Sequence, residues 1–496
     1  MKRREFMIMG SAAMAAPFLA TRPAIAAEGG APLPIPPLVD ADGAQAIALT
    51  ARKGQHTFLS GAKTPTLGYE LDYLGPTLRV RRGRTARIDV GNRTDDEISA
   101  HWHGAQVPGD MDGGPQLAFA PGKTWSARFD VHHPAATLWY HSHVHGKTGP
   151  QVYHGLAGAL LVEDPDAPDG LPATYGYDDI PLVVQDRSFD GAGRLVYDIS
   201  GMALMGGFHG DTITVNGAIR PVAAVPKGLV RLRIVNGSNA RFYDFAFEDG
   251  RRFHQVASDG GLLSAPVALM RLPLAPAERA EIVVDLSGDT APLRLLSADI
   301  GQGMMGGGGM MGGGGMMGGG GAGAPLEVLT LTPQPPTKPG PATLPASLPA
   351  PPMDFGAPVR TRDFRLDMHA GSMVGTMFSR LTGRTGSIMG INGQSYDMGR
   401  IDASLRRAET ELWRVSAPMM THPFHVHGCS FKVVSRGGRP VDPATEGLKD
   451  VIAVDAGGAE ILVRVDQLAD KATPFMLHCH ILEHEDAGMM GQFTVA

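Results

Sequence analysis

The chain has 496 residues, enough for about two to four domains that each bury a core of their own. Hydrophobic residues make up 43% and charged residues 19%, and a formal net charge of −6 leaves no basic footprint for nucleic acid. The 66 glycines and 39 prolines suit an all-β protein with many turns better than a helical one.

Lys2, Arg3 and Arg4 precede a modest apolar run from Ile8 to Ala20, and Ala24-Ile25-Ala26 supplies a small-x-small cleavage signal. The pattern resembles a Tat-type signal peptide over residues 1–27, which places the mature protein in the periplasm. The alternative is a retained anchor. The apolar run is short and interrupted by Gly10, Ser11 and Pro17, and no later segment is long enough to span a bilayer.

Three later segments echo one another. Arg87–Asn92, Arg231–Asn236 and Leu412–Ser416 alternate apolar and polar residues as half-buried strands do. His101-Trp102-His103 follows the first and His422-Pro423-Phe424-His425-Val426-His427 the third, whereas Ala240-Arg241-Phe242-Tyr243 after the second has no histidine. Three related β domains are predicted over 28–168, 169–332 and 355–496, the middle one reading as a spacer. A Pro-rich linker covers 333–354. Met-Met-Gly-Gly-Gly-Gly repeats at 304–321 hold too much glycine for a core and read as a mobile surface loop.

Ten of the 18 histidines fall in four clusters: His101/His103, His141/His143, His422/His425/His427 and His478/His480/His484. Isolated histidines are usually structural, and His132, His133, His145, His154 and His369 are left as such. Paired ones on strands differ, because residues two apart point to the same face and can reach adjacent metals. In His478-Cys479-His480 the sulfur must then address a different metal from its neighbours. His422 has opposite parity to His425 and His427, so Cys479, His422 and His484 form a two-His, one-Cys set, with Met489 ten residues after the cysteine. A trigonal His₂Cys site with a distant thioether is blue-copper coordination. Structural zinc would want more thiolates. A disulfide between Cys429 and Cys479, the simplest expectation for an exported pair, fails if Cys479 binds metal, and Cys429 is then a buried free thiol.

His-Trp-His-Gly, Trp-Tyr-His-Ser-His, His-Pro-Phe-His-Val-His-Gly and His-Cys-His-Ile-Leu-Glu-His-Glu-Asp-Ala-Gly-Met-Met together resemble the four copper motifs of the multicopper oxidases. The resemblance implies three consecutive cupredoxin-like Greek-key β-barrel domains and about four coppers per chain. It assigns type 1 copper to His422, Cys479, His484 and Met489, and type 2 copper to His101 and His425. The type 3 pair falls to His103, His141, His143, His427, His478 and His480. Electrons from a donor would pass from the type 1 copper to the cluster, where dioxygen is reduced to water. Asp112 matches a family acid beside the cluster and Glu485 the acid on the proton path to the type 3 coppers, and the resemblance gives both proton roles.

Val107–Pro115 and His484-Glu485-Asp486 look most like the bacterial copper-efflux oxidases, which oxidise Cu(I) outside the cytoplasm. Thioethers suit a soft ion. Met368, Met373 and Met420 are the candidate Cu(I) ligands, with Met377, Met389 and Met419 nearby. Pro418 departs from that pattern, where an aspartate is expected, and the Met-rich insertion lies in the second rather than the third domain. These methionines read alternatively as filler or linker. A laccase-type oxidase of phenols or aromatic amines and a copper-storage protein are the competing functions, and a monomer without a membrane span is expected.

Overall fold

The computed structural model describes residues 30–166, 169–299, 325–368 and 389–496. The expected signal peptide, the repeats at 304–321, His369, Met373 and Met377 lie outside them. The architecture is all-β, as the composition and alternation predict: six sheets, two for each of three successive stretches of chain. Each pair of sheets encloses its own apolar core. No helix among the described residues is long and apolar enough to cross a membrane.

The three echoed segments occupy equivalent places. Thr85–Arg93 runs parallel to Ile47–His56 and antiparallel to Thr124–Asp130. Leu229–Asn236 lies likewise between Asp179–Arg187 and Arg279–Asp285, and Thr410–Ser416 between Arg360–Met368 and Ala459–Arg464. The first and third strands alternate buried with less buried residues, as expected of a half-buried strand. The middle one does not. All of Leu229–Asn236 is buried, because its polar face meets the first pair of sheets instead of water.

Charge is carried into that face in paired form. Arg233 forks onto Asp179 (2.6 and 3.0 Å) and donates to Glu281 (2.9 Å), while Arg231 donates to Glu281 (2.7 Å) and Asp169 (2.9 Å). Thr137, on the strand that leads to His141, donates its hydroxyl to the same Glu281 (2.7 Å). Burial opposes ionisation of Glu281, but Arg231 and Arg233 outweigh it and hold the carboxyl down at about 2. The Pro-rich run is an ordered strap. Its first residues complete the strand Leu326–Gln334, Leu348 donates to Ser264 O (2.9 Å), and Met353 O accepts from Lys432 (3.3 Å).

Removing one partner of a buried ion pair leaves the other uncompensated and costs about 3–5 kcal/mol. Glu281→Gln should therefore lower unfolding free energy at neutral pH by about that amount in chemical denaturation. A loss below about 1 kcal/mol, the size of a surface pair, would mean the network does not join the first two units.

Candidate metal centres

The first and third pairs of sheets meet at a seam, and the histidines line it. His101 and His141 face each other across an antiparallel bridge (N–O 2.8 and 3.1 Å). Opposite them, His422–Val426 pairs with Phe475–Cys479 so that His425 sits across from His478 and Phe424 from Cys479. Alternation then sends His425, His427, His478 and His480 to the seam, while His422 and Cys479 turn to the other face.

Eight imidazoles converge there, all buried. Three sets hold their ring nitrogens within 4.8 Å of one another: His101/His103/His425, His103/His141/His480 and His143/His427/His478. Several nitrogens of neighbouring rings approach as closely as 3.1–3.3 Å. Burial first, then the neighbouring rings, drives His425, His427, His143, His480 and His103 well below the ordinary imidazole range, so they are neutral. Each neutral ring has one N–H and one lone pair, and the outer partner decides which nitrogen is which. His101 Nδ1 donates to Asp112 O (2.8 Å), His141 Nδ1 to Ser142 O (2.8 Å), His425 Nδ1 to Asp450 O (2.8 Å), His427 Nδ1 to the Asp112 carboxylate (2.7 Å) and His478 Nδ1 to Cys479 O (3.0 Å). Their Nε2 lone pairs therefore face inward. Those of His101 and His425, with both nitrogens of His480, have no hydrogen-bond partner. Orphaned, convergent imidazole nitrogens are what metal ions require, and the donor set fits copper.

On the other face of the strand a second set forms. His422 Nδ1 lies 3.3 Å and His484 Nδ1 3.7 Å from Cys479 Sγ, and the two nitrogens are 3.2 Å apart. Ile481 N–H donates to the sulfur (3.3 Å). Burial pushes the thiol pKa up, so a bound cation is what would ionise it. Met489 is fully buried in the same core, and its carbonyl accepts from Cys479 N (3.1 Å).

Two multicopper oxidase family models match residues 50–167 and 363–496, the stretches that carry the two halves of the seam. The chain belongs to the multicopper oxidase family. It is 35% identical over 496 residues to the cell division protein FtsP of Salmonella typhimurium, spanning 99% of this chain and 98% of that one. It resembles the solved laccase-like multicopper oxidase CueO of Ochrobactrum sp., described as active on lignin model compounds and lignosulfonate, at 38% identity and a TM-score of 0.84 (94% and 100% coverage). It also resembles the Campylobacter jejuni multicopper oxidase described as a metallo-oxidase, at 27% identity and 0.79 (94% and 95%). Membership implies copper, dioxygen and an electron donor.

Within this multicopper oxidase, both acids singled out from the sequence lie against the seam. The Asp112 carboxylate accepts from His427 and lies 3.5 Å from His101 Nδ1. Glu485 is fully buried, its oxygens 3.4 Å from His143 Nδ1 and His478 Nδ1 and otherwise without partners. Burial, with the nearby Asp486, raises its pKa well above the carboxylate range, so it holds a proton. Met368 and Met420 pack against the third core, where Met205 from the middle unit joins them, and Met205 O accepts from His484 Nε2 (3.2 Å). That contact had no sequence signal. Met419 is 53% exposed. Cys429 is a buried free thiol. His133 and His154 hydrogen-bond to local carbonyls, as structural histidines do.

The neutral imidazoles make an acid-sensitive device. Unfolded histidines take up protons near 6.5, whereas the buried ones stay neutral far lower, so stability is undiminished above that pH and falls as pH drops through it. Each such proton contributes about 1.4 kcal/mol per pH unit. The metal-free chain should lose stability between pH 6.5 and 5 with a slope of several protons, read from urea midpoints. A flat profile there would mean the rings are not held neutral.

Proposed function

We propose that this oxidase takes single electrons from a donor at a blue copper held by His422, Cys479, His484 and Met489, and delivers them to a three-copper cluster. His101 and His425 would hold the type 2 copper, and His103, His141, His143, His427, His478 and His480 the type 3 pair, giving about four coppers per chain. The observation that carries the reading is Cys479: its sulfur belongs to one set of ligands while the residues bonded to it on either side, His478 and His480, belong to the other. An electron thus has a short covalent route between the centres. Copper bound in these two sets supplies one-electron transfer and the four-electron reduction of dioxygen to water. That reaction consumes protons inside a dry seam. Glu485 enters it already protonated beside His143 and His478, and is the proton donor. Asp112, acceptor for His427, orients that ring and balances positive charge gathering at the seam.

Cu(I) is the donor we favour. Met368, Met420 and Met205 each pack against the core that also holds Cys479 and Met489, and thioethers suit a soft cation. Met373 and the repeats at 304–321 would extend that set, and the signal at 1–27 would deliver the protein to the periplasm. The lignin-related activity ascribed to the Ochrobactrum relative supports a second reading, oxidation of phenols. A role in division, as the FtsP name has it, does not by itself call for ten buried histidines in two sets, one of them with a buried thiol.

Copper-loaded protein should carry about four coppers and an intense thiolate-to-copper band, and Cys479→Ser should abolish the band. Oxygen uptake should be faster with Cu(I) than with a phenol, and deletion of 304–321 should slow the first without slowing the second. A preference for the phenol in the parent would remove Cu(I) as donor.

Glu485→Gln should keep the blue band while slowing oxygen uptake by about 100-fold, a typical loss for a proton-transfer group, and Asp112→Asn, which alters the acceptor of His427, should also slow uptake with the band kept. Normal turnover in both would remove these roles.

A further inference from the structure

One ring of the seam breaks the rule that five others follow. His103 turns Nδ1, not Nε2, toward its neighbours, 3.3 Å from His141 Nε2. Its outward nitrogen, Nε2, meets the carboxylate of Asp450 at 3.2 Å. Asp450 also holds the ring stacked on His103: His425 lies parallel at 3.8 Å between centroids and 9° between planes, and donates to Asp450 O. One residue therefore grips both members of a stacked pair, one by side chain and one by backbone.

Asp450 is fully buried, and the cation that balances it comes from the middle unit. Arg279 forks onto it, Nη1 to Oδ1 at 2.6 Å and Nη2 to Oδ2 at 2.5 Å. Arg279 is itself fixed from three sides. It donates to the carbonyls of Thr137 (3.2 Å), Ala277 (3.2 Å) and Asp259 (3.0 Å), and its own backbone N–H is held by the Asp259 carboxylate (2.7 Å). Asp259 also pairs with Lys449 (3.0 Å), so the residue preceding Asp450 is tied to the middle unit as well. A planar fork matched to a carboxylate sets the orientation of both groups.

The glycine of His-Trp-His-Gly belongs to the same device. Gly104 has φ +86°, and a Cβ there would lie 2.5 Å from Asp450 Oδ2 and 2.6 Å from Arg279 Nη2. The turn after His103 has room for the ion pair only without a side chain.

We propose that Arg279 and Asp450 are positioning residues that fix His103 in the tautomer protonated on Nε2, so that its Nδ1 lone pair faces the copper cluster. The unit without ligand histidines thereby sets the geometry of a centre it does not ligate. The inference rests on the copper reading above for what the lone pair meets, but the tautomer is a property of the metal-free chain.

Two measurements test it. Imidazole ¹⁵N shifts of the full-length metal-free protein should report His103 protonated on Nε2, and Asp450→Asn, whose amide can donate, should move the proton toward Nδ1. Finding His103 protonated on Nδ1 in the parent overturns the inference. In copper-loaded protein, Arg279→Met, Asp450→Asn and Gly104→Ala should each weaken retention of cluster copper against a chelator by about 10–100-fold, the usual effect of losing an outer-sphere partner. The blue band should be unchanged, and Arg279→Lys should recover part of the loss. Parental copper retention in both Arg279→Met and Asp450→Asn overturns the inference. So does loss of the blue band in step with the cluster copper in every variant, Arg279→Lys included, since that is a general support and not positioning. A parent with the expected tautomer that binds no copper would leave the pair standing and sink the oxidase reading.

Discussion

Lone pairs facing one another in a dry interior repel, and this protein gathers eight imidazoles into such an arrangement, with ring nitrogens of His101, His425 and His480 left without hydrogen-bond partners. Protonation would relieve the repulsion only by burying positive charge, and burial holds rings such as His425 and His427 neutral. The remaining way to make the arrangement favourable is a cation shared among the rings. Much of the surrounding structure serves that constraint, since five of the outward N–H groups each meet a fixed acceptor that leaves the inward lone pair free. The acceptors are mainly backbone carbonyls, those of Asp112, Ser142, Asp450 and Cys479.

Sequence periodicity made most of this readable. Ligands two residues apart on a strand share a face, and the parity of Cys479 against His478 and His480 needs no coordinates to predict two centres on opposite faces. The register of His422–Val426 against Phe475–Cys479 realises that parity. What periodicity could not convey is contact between distant parts of the chain. Arg279, Asp259 and Asp450 lie in ordinary strand and turn sequence, and Asp450 stands out only as a charge between Leu448-Lys449 and the apolar Val451-Ile452. His103 looks in the sequence like any other member of a His-x-His pair, since the inversion of its ring follows from an acceptor brought from elsewhere. The strand Leu229–Asn236 misled for the same reason. Its arginines read as solvent-facing because their carboxylate partners, Asp169, Asp179 and Glu281, lie some 50–60 residues away.

Relatives on this scaffold carry oxidase names and a cell-division name alike, which is expected where fold and chemistry are separable. The scaffold needs only alternating strands and three packed cores. The chemistry needs buried donors, whose desolvation is unfavourable unless something binds them. A chain keeping ten histidines and a thiol in that condition is under a constraint the fold alone does not impose, and this argues for a redox role whatever else the surface does.

The middle unit shows how that constraint spreads. Among the described residues it contributes no histidine or cysteine to either centre, yet it touches both. Met205 O accepts from His484 at the mononuclear set, and Arg279 reaches Asp450 at the shared cluster. Between them Glu483, one residue before His484, accepts from Tyr197 (2.7 Å), Asn239 (2.9 Å) and Phe208 N (3.1 Å), all from that unit. The two centres are therefore fixed against a common body as well as through the bond linking Cys479 to its neighbours. A route for electrons needs a constant separation and constant ligand orientation at both ends. The first and third sheet pairs already bond to each other beside the rings, as where Thr148 N and Gly149 N donate to Asp486 (2.9 and 2.8 Å), and the middle unit buttresses both centres further through buried ion pairs and backbone acceptors.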